Sequence, residues 1–125
     1  MRDVTELPRL VVASANPHKV AEIGLVLDGL AVLEPRPTGV PEVVEDGETL
    51  EANARLKAVA ICEATGESAV ADDTGLEVDA LGGAPGVHSA RYAASNGSGA
   101  EGDAVANTIR LLQELGCIPR GRRTA

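Results

Sequence analysis

Residues 10–19 read Leu-Val-Val-Ala-Ser-Ala-Asn-Pro-His-Lys, an apolar run followed by a polar turn and the start of a helix. The continuous apolar run of residues 10–13 is typical of a buried strand. Asn16 is a good N-cap, and Pro17 suits the first helical position because it has no N–H to leave unpaired. Apolar residues then recur on one helical face, at Val20, Ile23 and Leu27. A strand that leads directly into a helix favours an α/β fold.

The rest of the chain continues this alternation. A second strand is predicted at residues 31–33 and a third at residues 68–71. A second helix is expected from near Thr49 to a stop at Thr65-Gly66, with Leu50, Ala54, Ala58 and Ile61 on its apolar face. A third is expected from about Asp103 to Gly116, with Val105, Ile109 and Leu112 in register. Two segments are predicted to lack regular structure, namely the glycine-rich residues 82–86 and the basic residues 120–123.

Composition limits the classes of partner. The 125 residues fit one domain, with one Tyr and no Phe or Trp, so burial in a dimer or against a further segment would help stability. A formal net charge of −8 argues against nucleic-acid polymers and anionic membrane surfaces. It does not argue against a nucleotide that arrives with magnesium. The chain has no run of transmembrane length and no signal-peptide pattern, which predicts a cytoplasmic protein.

The turn after the first predicted strand is a candidate phosphate site. The first N–H groups of a helix lack partners and attract anions. Ser14 and Asn16 add side-chain donors, and Lys19 can project its ammonium toward the same anion, with Glu22 to hold it in place. The alternative is an ordinary capped surface helix with a solvated lysine.

Two groups of acids are candidate metal ligands. One is the loop before the second helix, with Glu42, Glu45, Asp46 and Glu48, and the other is Asp72-Asp73 at a strand end. Carboxylates suit a hard cation such as magnesium. Because side chains alternate along a strand, Asp72 and Asp73 can both face a metal only if the backbone turns there. The alternatives are a solvated acidic loop and a local turn or cap.

Three further polar residues have two interpretations each. Asn53 and Lys57 lie one turn apart on the second predicted helix and face either a cleft or solvent, solvent being the simpler interpretation. Arg91 follows the glycine-rich loop and either binds a phosphate through its planar fork or forms a structural ion pair.

Four stretches, in order, resemble the motifs of the inosine/xanthosine triphosphate pyrophosphatase family. Residues 14–22 are similar to that family's Ser/Thr-x-Asn-x-x-Lys-x-x-Glu opening. Residues 45–58 are similar to its Glu-Thr-Gly-x-Thr-Phe-x-Glu-Asn-Ala-x-x-Lys-Ala helix, although the Phe and the second Glu are replaced by Leu50 and Ala52. Residues 71–78 and 81–92 resemble its two most diagnostic stretches.

The resemblance implies hydrolysis of ITP, dITP and XTP to the monophosphate and pyrophosphate, with Mg²⁺, usually by a homodimer. It implies an α/β fold with a mixed central sheet, flanking helices and a cleft at the C-terminal ends of the strands. Asp73 would be the catalytic base and a metal ligand, Asp72 a second ligand, and Glu45, with Glu42 as the alternative, the ligand from the loop. Substrate-binding roles are implied for Ser14, Ala15, Asn16, Pro17, His18, Lys19, Asn53, Lys57, Thr74 and Arg91.

The end of the chain departs from this family. Family members continue past the position of residue 125 into segments that hold the purine base. The resemblance therefore predicts that residues 1–125 form a single partial domain that lacks the C-terminal part of the fold. An alternative function is a fragment that binds metal and phosphate, or dimerises, without turnover. The Maf-like pyrophosphatases are a different enzyme class, and their Ser-x-Arg-Arg turn is absent here.

Overall fold

A computed structural model describes residues 6–94 and 103–125 of the chain. The chain divides into two compact units, Met1–Asp73 and Thr74–Ala125. Each unit is described by itself below. No helix in the described ranges is both long enough and apolar enough to cross a bilayer.

The first unit is a small parallel α/β sheet with two helices. Its elements in chain order are β1 (Arg9–Val12), α1 (Pro17–Val26), β2 (Val32–Glu34), α2 (Leu50–Thr65) and β3 (Ala69–Val70). The strand order is β2-β1-β3, and β1 pairs parallel with both neighbours. The predicted α/β fold is confirmed. A mixed sheet was expected, whereas the three described strands all run parallel; the segments between them contain helices α1 and α2, which are the connections that parallel strands require.

The core of this unit lies where α2 covers β1. Val11, Ala13 and Ile61 form one buried cluster, and Val40, Ala69 and Ala71 pack against it. Val12, which points to the opposite side of the strand from Val11, is 1% exposed. A central strand buried on both sides explains why residues 10–13 are continuously apolar rather than alternating.

Local capping fixes the helix boundaries. Asn16 caps α1 and its side chain accepts a hydrogen bond from the His18 N–H, while Thr49 caps α2 and accepts from the Ala52 N–H. Gly66 ends α2 in the left-handed conformation, with φ of 71°. These three boundaries confirm the predictions made from the cap residues. The β2 strand begins at Val32 instead of residue 31.

The second unit contains short 3₁₀ segments and one α-helix. The 3₁₀ segments span Asp79–Leu81, Gly86–Arg91 and Arg120–Arg122, and helix α3 spans Ala104–Glu114 with Asp103 as its cap. The glycine-rich turn is confirmed: Gly82, Gly83 and Gly86 all have positive φ. Residues 120–123 were expected to lack regular structure, but Arg120–Arg122 form a single 3₁₀ turn.

The apolar positions of α3 also differ from a simple buried face. Val105, Ile109 and Leu112 were predicted to lie in register, and they do, but they are 70%, 51% and 56% exposed. The third predicted helix is therefore correct in position and amphipathicity. Periodicity alone does not state which surface covers an apolar stripe.

Candidate functional site

The turn after β1 is organised by its own side chains. The Ser14 hydroxyl accepts a hydrogen bond of 3.1 Å from the Asn16 N–H. The Asn16 side-chain oxygen in turn accepts one of 3.0 Å from the His18 N–H, which caps α1. Ser14 is half-buried, whereas Ala15, Asn16, Pro17 and His18 are exposed. The turn therefore presents an exposed, pre-formed helix N-terminus at the end of a buried strand.

Lys19 lies in the first turn of α1 and points toward the acids that follow β3. Its Nζ is 3.5 Å from Asp72 Oδ1 and 3.8 Å from Asp73 Oδ1. Because β1 and β3 are parallel neighbours, their carboxyl ends meet at one edge of the sheet. Glu22 was expected to hold Lys19, but Glu22 is exposed and the lysine pairs with the two aspartates instead.

Both aspartates reach this lysine because the strand has already ended. Strand β3 stops at Val70, so strand alternation no longer applies at Asp72 and Asp73. The side chains are 32% and 16% exposed, respectively. The sequence required the backbone to leave the strand alternation for both acids to face one position, and the strand ends two residues before Asp72.

Lys57 joins the acidic loop to the same edge. Its Nζ donates a hydrogen bond of 2.5 Å to the Asp72 carbonyl and lies 3.5 Å from Glu45 Oε1. The side chain is only 18% exposed, so the interpretation that Lys57 faces solvent is wrong. Of the two candidate loop acids, Glu45 contacts this lysine, whereas Glu42 is exposed.

Asn53 is buried beneath that loop. The side chain is 0% exposed, and its Oδ1 accepts a hydrogen bond of 2.8 Å from the Gly47 N–H. Solvent exposure was therefore the wrong interpretation for Asn53 as well. The side chain contacts the loop backbone from inside, and its contact with a substrate stays a prediction.

The cluster has a distinctive charge arrangement. Three carboxylates, Glu45, Asp72 and Asp73, lie within 4 Å of the ammonium groups of Lys19 and Lys57. These are the only two lysines in the 125-residue sequence. Because the groups are partly buried, solvent and salt screen their interactions less than at an open surface. The lysine count was visible in the sequence, and it is a signal that the motif analysis did not use.

The donor set suits a hard cation in chemistry. Carboxylate oxygens are the ligands that Mg²⁺ takes in proteins. Asp72 Oδ1 is buried, and within the described ranges no hydrogen bond reaches it, although Lys19 lies 3.5 Å away. In residues 6–94 and 103–125 no three His, Cys, Asp or Glu side chains converge on one metal position, since the two lysines lie among the acids. The buried oxygen is thus the feature that fits a cation.

Thr74 and Arg91 belong to the second unit. Arg91 is the last residue of the 3₁₀ segment Gly86–Arg91. The side chain of Asn107 in α3 forms hydrogen bonds to the backbone on both sides of Arg91. The Asn107 side chain donates a hydrogen bond of 3.0 Å to the Ala90 carbonyl and accepts one of 2.8 Å from the Ala93 N–H. Sequence reasoning missed Asn107, because an Asn inside a helical pattern carries no signal of a distant backbone partner.

Comparison with known proteins adds independent information. A family model described as "Ham1 family" matches residues 10–125. A dITP/XTP pyrophosphatase of Geobacter sulfurreducens is 49% identical over 123 residues, which is 95% of this chain and 59% of that protein. A protein of the same name from a Synechococcus strain is 51% identical over 108 residues, covering 86% of this chain and 48% of its own length.

Solved structures give the same result. The crystal structure named nucleoside-triphosphatase / dITP/XTP pyrophosphatase from Mycobacterium abscessus is 43% identical with a TM-score of 0.71, and the match covers 91% of this chain and 59% of that one. A HAM1 protein structure from Coxiella burnetii has 36% identity and a TM-score of 0.74, over 88% of this chain and 54% of that one. The chain thus spans between about half and three fifths of the length of these relatives.

Proposed function

The chain belongs to the Ham1 family, and on that premise we propose that it carries the polyphosphate- and metal-binding part of an enzyme that hydrolyses dITP, XTP and ITP to the monophosphate and pyrophosphate. The names of the similar proteins support the substrate class. The observation that carries the proposal is the position of Lys19, which lies in the helix turn after β1 and pairs with both Asp72 and Asp73.

The helix turn and the two lysines bind the polyphosphate. The N-terminus of α1 offers unpaired N–H groups and the positive end of the helix dipole. In the absence of substrate, the ammonium groups of Lys19 and Lys57 neutralise the neighbouring carboxylates. When a triphosphate binds, these ammonium groups turn toward its oxygens. Ser14 and Asn16 contribute further polar contacts to the substrate in this proposal, and the roles of Thr74 and Arg91 stay predictions from the sequence resemblance.

The acids of the cluster would bind magnesium, and one of them, Asp73, would accept a proton. Asp72, Asp73 and Glu45 are the carboxylates that would hold the ion after Lys19 and Lys57 turn toward the phosphates, since without substrate these two ammonium groups lie among the acids. When bound, Mg²⁺ supplies charge compensation on the phosphates and lowers the pKa of an attacking water. The Asp73 carboxylate accepts a proton from the attacking water while the water oxygen forms a bond to the α-phosphorus. The bond from the α-phosphorus to the bridging oxygen breaks, and pyrophosphate leaves.

The setting of this activity is also part of the proposal. The proposed protein is a cytoplasmic homodimer that acts on free purine nucleotides; the net charge of −8 supports the part of this proposal that excludes nucleic-acid polymers and anionic membranes as partners. An acidic protein repels polyanions at long range, whereas a short triphosphate that arrives with magnesium is largely neutralised.

Pyrophosphate release tests the proposal. Two proteins are compared with dITP, XTP and dGTP in the presence of Mg²⁺: this chain, and a version extended with the C-terminal segment of the Geobacter sulfurreducens relative. We expect turnover of dITP and XTP, with dGTP slower, in at least one of the two proteins. Turnover in neither protein would contradict the proposed reaction.

A second measurement does not depend on turnover. Because both lysines of the chain lie in the cluster, acetylation by an amine-reactive reagent, located by peptide mapping, reports directly on the site. Tripolyphosphate with Mg²⁺ is expected to slow acetylation of Lys19 and Lys57 but not of the N-terminal amine. Protection with no turnover in either protein favours a binding fragment over an enzyme.

A further inference from the structure

Asn53 is fully buried, with 0% exposure, and no other Asn, Gln, Ser, Thr, His or charged residue in the described part of the chain is buried. It lies one helical turn before Lys57 on α2. We propose that Asn53 is a positioning residue, which fixes the acidic loop so that Glu45 faces Lys57. This inference rests on the proposed function for the chemistry that Glu45 performs, but not for the contact itself.

The contact links the helix to the loop next to the acid. The Gly47 N–H donates a hydrogen bond of 2.8 Å to Asn53 Oδ1, and Gly47 is two residues after Glu45. Glu45 Oε1 then lies 3.5 Å from Lys57 Nζ. Residues four apart on a helix share a face, so Asn53 and Lys57 contact the loop at two neighbouring points, Gly47 and Glu45.

Gly47 is needed for close approach. A Cβ at this position would lie 2.7 Å from Asn53 Oδ1 and 2.8 Å from the Ala52 Cβ. Its φ is not in the left-handed region, so the backbone conformation alone does not require glycine. The glycine is explained by how closely the loop backbone lies on α2.

Side-chain hydrogen bonds fix the backbone of the irregular stretch between β2 and α2. No helix or strand occurs between the end of β2 at Glu34 and the start of α2 at Leu50. The Arg36 guanidinium binds the carbonyls of Val40 and Pro41, which fixes the first part of the loop. The Asn53–Gly47 bond fixes the last part, where Glu45 lies.

A double-mutant cycle tests the role. Asn53→Ala and Gly47→Ala disrupt the same contact from opposite sides, so their effects should not add in the double variant. Two quantities are measured on the full chain: amide hydrogen exchange of residues 44–49, and the affinity for Mn²⁺ in the presence of tripolyphosphate, from the EPR signal of free Mn²⁺. Ile61→Val is the control, because it removes a core methylene from the same helix.

We expect each single variant to speed exchange in residues 44–49 and to weaken Mn²⁺ binding about tenfold, as loss of a residue that orients a metal ligand typically does. The double variant should be weaker by less than the sum of the two single effects, because a Cβ at position 47 still meets the Ala52 Cβ. Ile61→Val should lower Tm while leaving Mn²⁺ affinity unchanged. Circular dichroism confirms that each variant is folded.

The outcomes separate the two proposals. If wild type binds Mn²⁺ and both single variants bind it equally well, or if the two effects add, Asn53 does not position the loop. Weakening in Ile61→Val equal to that in Asn53→Ala would also overturn the inference, since any loss of stability would then suffice. If wild type itself binds no Mn²⁺, the proposed metal site fails, while hydrogen exchange still reports whether Asn53 holds the loop.

Discussion

Lys19 Nζ lies 3.8 Å from Asp73 Oδ1, and this pair joins the first turn of α1 to the segment that follows β3. The two residues are 54 positions apart in the sequence, yet the parallel pairing of β1 and β3 brings their segments to one edge. A helix N-terminus that attracts anions and a carboxylate that attracts cations thus lie side by side. The proposed binding of a metal–polyphosphate complex depends on that juxtaposition.

Asp73→Asn is expected to remove turnover while leaving the fold intact. The amide keeps the size of the side chain but does not accept a proton from water, so kcat should fall about 100- to 10,000-fold. The measurement is pyrophosphate release from dITP in whichever protein turns over. Asp28→Asn, a change at an exposed acid near the end of α1, is the matched control and should keep full activity. Retained turnover in Asp73→Asn would exclude Asp73 as the base.

Lys19→Ala is expected to weaken substrate binding more than it slows the reaction. Loss of one charge-assisted contact, about 1.5–3 kcal/mol, corresponds to a rise in KM of roughly 10- to 100-fold. Steady-state kinetics with dITP provide the measurement. Arg55→Ala removes an exposed cation on α2 whose side chain is 75% exposed, and its KM should match wild type. An unchanged KM in Lys19→Ala would remove this lysine from the polyphosphate site.

Lys57→Met is expected to lower stability even without ligand. The substitution keeps the apolar stem, but the half-buried Glu45 loses a counter-charge and the Asp72 carbonyl loses a donor. The free energy of unfolding should fall by about 1–3 kcal/mol, measured by urea denaturation. Arg55→Met, at an exposed position on the same helix, should change it by less than about 0.5 kcal/mol. Equal effects of the two substitutions would mean that Lys57 has no structural partner.

Asn107→Ala is expected to destabilise the second unit. The side chain satisfies the Ala90 carbonyl and the Ala93 N–H, on either side of Arg91. Removing both bonds should cost about 1–3 kcal/mol. Thr108→Ala, at an exposed neighbour in α3, serves as control. Hydrogen exchange at Ala93 should rise in Asn107→Ala and stay unchanged in the control, and the reverse would contradict the assignment.

Much of this fold could be predicted from the sequence because its boundaries are set locally. Asn16, Thr49 and Gly66 each fix a helix end through the residue's own side chain or backbone preference. The grouping of Asp72 and Asp73 at a strand end was also predictable, since parallel strands share an edge.

The orientation of the polar residues of α2 could not be predicted in the same way. Asn53 and Lys57 lie beside the apolar stripe of the helix, and periodicity does not distinguish a polar residue that faces water from one covered by a distant loop. The covering loop, residues 35–49, has no periodic pattern of its own. Its position depends on tertiary contacts such as the bond from the Gly47 N–H to Asn53.

Asn53, Lys57 and Ile61 follow one another at intervals of four residues, so one line along α2 serves the loop, the charged cluster and the hydrophobic core in turn. Substitutions at Asn53 or Lys57 that are made to raise the melting temperature would alter the proposed ligand site in the same step. The opposite line of the helix includes the exposed residues Arg55 and Val59. Libraries for thermostability or solubility are best directed at such exposed side chains outside the charged cluster, where helix propensity and surface charge can be changed.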